Sequence, residues 1–120
     1  MKIRLSILLL AFMLLASCGH KEVVIAPANI LTQEQMASVL VDFHLAEAAI
    51  IEVQRNKRDV NYYTGHYYTS VLKKHNITRK KFSDSVHFYS RHIDELKFIY
   101  EEVLTQLSTK QSELLSVKSL

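Results

Sequence analysis

Three side chains able to carry proton or metal chemistry stand close together in one amphipathic stretch: Asp42, His44 and Glu47. Glu47 is the least expected of them. On a wheel of about 100° per residue it falls near the middle of the arc made by Met36, Leu40, Phe43 and Ile50. An ionised carboxylate in such a place must find a partner or have its pKa raised. His44 lies within its reach at i, i+3. The pair suits a general acid and base, or two metal ligands. It suits equally a polar contact joining this helix to a Tyr, His or Lys elsewhere. The polar contact is the expectation, because no second carboxylate or histidine repeats the spacing. No H-E-x-x-H, di-iron E-x-x-H or G-x-S-x-G motif is present. His87 and His92 are five apart, which is not a helical ligand pair, and Asp84 with His87 reads as a surface pair. We therefore expect no catalytic residue, no metal site and no cofactor, in a protein that is not an enzyme.

The one residue with a clear chemical role is the lone cysteine. Lys2 and Arg4 precede an unbroken apolar run from Ile7 to Ala16. That run is about half of the roughly 20 residues needed to span a bilayer, so it reads as a secretory signal rather than an anchor. Its end, Leu15-Ala16-Ser17-Cys18, matches the bacterial lipobox at all four positions. Small side chains before the cysteine let an extended backbone enter the signal peptidase, and the thiol takes a diacylglycerol through a thioether. Residues 1–17 are expected to be removed, leaving Cys18 as an acylated N-terminus carrying palmitate-type chains. Two or three acyl chains anchor stably where one alone does not. Gly19 after the cysteine lacks the Asp-type retention signal of the inner membrane, so the periplasmic leaflet of the outer membrane is the expected location. Lys21-Glu22 faintly resembles charged signals for export to the cell surface, which is the alternative.

These residues sit in a short chain. Its 120 residues allow one small domain, and a single Cys excludes both an internal disulfide framework and a Cys-rich zinc site. Two Gly and one Pro argue against a turn-rich β fold and a Gly-rich phosphate loop. Fifteen basic and 12 acidic side chains give a formal +3. The stretch Lys73 to Lys81 carries five cations in nine residues. A nucleic-acid patch is disfavoured, because the lipobox places the domain outside the cytoplasm and 13 basic against 12 acidic side chains remain after residue 17. A solvated helix–helix junction is expected, with contact to anionic headgroups or cell-wall polymer next.

The elements that position these groups are helical. Residues 18–31, with Pro27, read as the lipidated N-terminus and its tether, in which His20 to Ile30 reach about 40 Å at most when extended. Thr32 and Gln35 make a capping box, and Leu31 can staple onto Met36. Met36, Val39, Leu40, Phe43, Ala46, Ile50 and Ile51 then recur at helical spacing to about Gln54. Arg55 to Tyr63 reads as a connection. A second helix is expected from about Gly65 to His75, with Tyr68, Val71, Leu72 and His75 inward and Asn76 ending it in the left-handed conformation. Thr78 caps a third helix to Ser90 with Phe82, Val86 and Tyr89 inward. A fourth, from about Ile93, presents Leu96, Ile99, Tyr100, Val103, Leu104 and Leu107. The domain is expected over 32–110, with a fraying tail at 111–120. The fold class is an all-α bundle of about four helices. Leu45 and Phe98 fall on otherwise polar faces, and Tyr67 and Tyr68 belong to a tyrosine cluster. These four make the candidate interaction surface.

The segments Val41-Asp42-Phe43-His44-Leu45-Ala46-Glu47-Ala48 and Tyr67-Tyr68-x-x-Val71-Leu72-Lys73-Lys74-His75-Asn76-Ile77-Thr78 carry a resemblance. So do Phe82, Tyr89-Ser90-x-His92 and Leu96-x-x-Ile99-Tyr100-x-x-Val103-Leu104. Together they resemble a family of small Bacteroidota lipoproteins known as domain of unknown function 4296, over about residues 28 to 108. Asn76 stands where the family pattern has Gly, and Ile93 where it has Pro. The resemblance implies a lipid-anchored helical domain and brings no catalytic residues. The expected function is a non-enzymatic, lipid-anchored envelope protein that binds membrane lipid through Cys18 and a second envelope protein through its helices. A periplasmic chaperone-like module is the alternative, ahead of a His44/Glu47 metal or acid–base site.

Overall fold

The computed structural model describes residues 24–119. Leu15, Ala16, Ser17 and Cys18 lie outside the described residues, and with them the expected signal peptide and acylation site. The described residues form four helices and no strand: α1 (Gln33–Arg55), α2 (Val60–Lys74), α3 (Arg79–Ser90) and α4 (Ile93–Lys118). The chain is an all-α bundle, as its periodicity predicts.

Local chemistry explains the boundaries. Thr32 Oγ1 accepts from the Gln35 N–H at 3.2 Å while Gln35 Oε1 accepts from the Thr32 N–H at 3.0 Å, a reciprocal cap that starts α1. At its far end the Lys57 N–H donates to the Gln54 carbonyl and the Arg58 N–H to that of Val53. This is a Schellman ending with Lys57 at φ 53°, where glycine is usual. α2 ends the same way: Asn76 (φ 52°) donates to Lys73, and Ile77 donates to Leu72. Asn76 thus takes the left-handed position expected of it.

The second helix starts earlier than its apolar pattern suggests. Asp59 caps it by accepting from the Tyr62 N–H at 3.1 Å, so Gly65 lies inside α2 and the connection shortens to Asn56–Asp59. Its first turn, Val60 to Tyr63, is at most half-buried and carries no regular apolar stripe, so the cap rather than the periodicity marks its start. α4 also runs beyond the expected frayed end, to Lys118, although its residues past Leu107 are exposed.

The core joins Leu31, Met36, Ala37, Val39 and Val41 to Val71 of α2, Tyr89 of α3, and Ile99 and Val103 of α4. Ile30 and Leu31 are therefore core residues, which corrects their assignment to the tether. The apolar stripes are also narrower than the wheels suggest. Ile51, Val86, Tyr100 and Leu104 are exposed rather than inward. Neighbouring helices cover the first half of α1 on two sides, whereas of the second half only Val53 is buried.

Candidate functional site

The sharpest construction in the molecule fastens the segment before α1 to α3. The Leu31 N–H donates to Ser85 Oγ at 2.9 Å, and the Tyr89 hydroxyl donates to the Leu31 carbonyl at 2.7 Å. Ser85 and Tyr89 are one turn apart on α3, so one helix face satisfies both backbone groups of a single residue. Ser85 passes its own proton to the Lys81 carbonyl at 2.7 Å. All three residues are at most 1% exposed. Burial pushes the Tyr89 phenol above its ordinary value of 10.0, and the nearby Glu95 charge adds to that. Glu95, buried in the first turn of α4, accepts a hydrogen bond from the Gln33 side chain. Sequence reasoning placed Tyr89 inward and passed over Ser85 and Glu95. The available signal was Ser85 itself, a hydroxyl on the inner stripe between Phe82 and Tyr89.

The Asp42/His44/Glu47 group does not hold together. Asp42 turns toward α2, where its Oδ2 accepts from His75 Nε2 at 2.6 Å and from Lys74 Nζ at 2.8 Å. Burial alone would raise the Asp42 pKa, but the hydrogen bonds from Lys74 and His75, with the Lys74 charge, outweigh it and hold the carboxyl below its usual 3.8. Asp42 therefore ties the middle of α1 to the end of α2. His44 and Glu47 pair with each other instead, His44 Nδ1 lying 3.2 Å from Glu47 Oε2. The Glu47 side chain is 69% exposed, which overturns its placement in the apolar arc. The arc is buried where α1 has neighbours on both flanks, and Glu47 lies beyond that point. Among the described residues no three His, Cys, Asp or Glu side chains are grouped to hold a metal ion.

The candidate interaction residues divide among three places. Leu45 and Tyr67 line a groove of about 280 Å³ between α1 and α2, with Ala46, Ala49 and Val71 as its floor and Asp42 with Lys74 at one end. Tyr68 leaves that surface for an aromatic cluster, its ring 5.2 Å from Phe43, which lies 5.0 Å from Phe82. The Arg79 guanidinium sits 4.6 Å above the Tyr68 ring. Phe98 lines a separate groove beside Gln33, Glu34, Ile99, Glu102 and Gln106. Leu45 and Phe98 do not share a groove. Among the described residues no helix is long and apolar enough to cross a membrane.

These features define a small helical domain whose N-terminal segment is fastened into its own core. The family model described as Domain of unknown function (DUF4296) matches residues 27–113, and the chain belongs to that family. No curated protein and no solved structure matches it.

Proposed function

We propose that this chain is a lipid-anchored protein of the bacterial cell envelope and that its helical domain binds another envelope protein. Anchoring rests on Leu15-Ala16-Ser17-Cys18 and the apolar run before it, together with the resemblance to Bacteroidota lipoproteins. The outer membrane is the proposed location, in its periplasmic leaflet, with the cell surface as alternative. The observation that carries the interaction reading is the α1–α2 groove. Leu45 stays 44% exposed at its rim, Tyr67 is half-buried, and the floor is made of small apolar side chains. A shallow apolar groove flanked by a tyrosine and an ion pair suits an inserted apolar side chain from a partner.

A photo-reactive amino acid at Leu45 in the native, lipidated protein tests this, with adducts identified by mass spectrometry. One dominant adduct is expected, and no adduct sinks the interaction reading at this groove. The chaperone-like alternative draws on the exposed Leu104, Leu114, Leu115 and Val117 of α4. It requires a broad ladder of adducts and suppression of aggregation of unrelated unfolded proteins. Labelled palmitate should enter the wild-type chain and not Cys18→Ser. Membrane retention unchanged in that variant would overturn the anchoring.

A further inference from the structure

The α2–α3 junction concentrates positive charge. Residues 73–81 hold Lys73, Lys74, Arg79, Lys80 and Lys81 with no acidic side chain, while the rest of the described chain has seven basic and eleven acidic ones. Three of these cations occupy the first turn of α3, which holds no acidic residue. That is the wrong end of a helix for positive charge, because its unpaired N–H groups already make it electropositive. The last turn of α2 tolerates Lys73 and Lys74, but Arg79, Lys80 and Lys81 oppose local helix stability. Lys80 gains an i, i+4 partner in Asp84 at 2.6 Å and Lys74 gains Asp42, yet Lys80 remains 82% and Lys74 65% exposed. A local rule broken on an exposed face points to use rather than to folding.

Position supplies the partner. Lys81 and Ile77 share a small groove with Leu31, the residue at which the N-terminal segment enters the core. Leu31 lies only 13 positions after Cys18. That stretch spans about 45 Å at full extension, which is comparable with the size of a small domain. We propose that the α2–α3 junction is the face this domain turns to its own membrane, where Lys73, Lys80 and Lys81 meet the anionic phosphate headgroups of the bilayer. This rests on the reading of Cys18 as the acylated anchor. The acyl chains hold the protein on the membrane, and the junction sets which face looks down. Each cation near such a surface adds to the attraction, so a few are enough to orient a domain that is already tethered.

The test uses the full, acylated protein reconstituted into vesicles of phosphatidylcholine alone or mixed with phosphatidylglycerol. With Cys18 acylated, Ser83→Cys supplies a single free thiol for a spin or fluorescent label beside Lys80. In phosphatidylglycerol vesicles the label should lose accessibility to a water-soluble quencher several-fold relative to phosphatidylcholine alone. High salt should restore it, as should Lys73→Glu combined with Lys80→Glu. Equal accessibility in the two vesicle types overturns the proposal, and the salt arm decides it even if the charge-reversed variant folds poorly. Failure of the acylated chain to partition into either vesicle type would overturn the anchoring reading, and the headgroup contact with it.

Discussion

Tyr89 and Leu31 are 58 residues apart in sequence and joined by a 2.7 Å hydrogen bond from a buried hydroxyl to a buried backbone carbonyl. One α3 turn away, Ser85 accepts the N–H of the same leucine. Removing either partner leaves a backbone group buried without a bond, which costs more than the net worth of the bond itself. Tyr89→Phe and Ser85→Ala should each lower unfolding free energy by about 1–3 kcal/mol. The double variant should depart from additivity, since both act on one residue. Urea denaturation measures this, and an unchanged midpoint in both single variants contradicts the clamp.

The raised Tyr89 pKa adds a pH dependence. Because the folded value lies above the unfolded one, this group's contribution is complete below pH 10.0 and declines as pH rises toward the folded value. Wild-type stability should fall above that point through loss of the donated proton, and Tyr89→Phe should fall less steeply. Parallel curves for the two proteins would count against Tyr89 as the source.

Asp42 has the opposite sign. Its folded pKa is depressed below 3.8, so its contribution is present above that value and is lost as pH falls through the folded value. Asp42→Asn should destabilise by about 1–2 kcal/mol at neutral pH. The gap to wild type should close below about pH 4. Chemical denaturation at a series of acidic pH values checks this, and a gap independent of pH refutes it.

Two backbone positions favour other residues. Gly65 lies inside α2, and a Cβ added there meets nothing within 4 Å. Gly65→Ala should stabilise by about 0.5–1 kcal/mol. Lys57 holds φ 53° at the Schellman position of α1, so Lys57→Gly should be stabilising or neutral despite the freer unfolded chain. Thermal melts report both, and a marked loss at Gly65→Ala would mean that the α2 surface is covered by something else.

Leu45→Asp should leave stability within about 0.5 kcal/mol, as expected for an exposed site. Partner capture by a crosslinker placed at Tyr67 should fall sharply in the same variant. Retained capture would move the interface away from this groove.

Helix existence was legible because it rests on spacing and caps that the sequence states openly: Thr32 with Gln35, Thr78, and Asn76 followed by Ile77. What depended on the number of neighbours was not legible. A wheel treats Leu40 and Glu47 as equals, but only the first half of α1 has helices on both flanks, so Glu47 is solvated. Asp42 looked like the companion of His44, two residues away. Its real partners lie 32 and 33 residues on: His75, which the periodicity placed inward without a partner, and Lys74, which read as part of a solvated cation stretch. The start of α2 was missed because Asp59 caps a turn with no apolar periodicity, and Ser85 because a small hydroxyl on an inner stripe looks like a gap in it.

The fastening of Leu31 also has a mechanical meaning. A load applied through the N-terminal segment meets two hydrogen bonds and a buried leucine side chain before it reaches the first turn of α1. Those bonds belong to α3, so the force divides between two helices that are distant in sequence instead of unzipping the first from its end. If the chain is anchored as proposed, membrane undulation or extraction forces would thus be borne by the centre of the bundle.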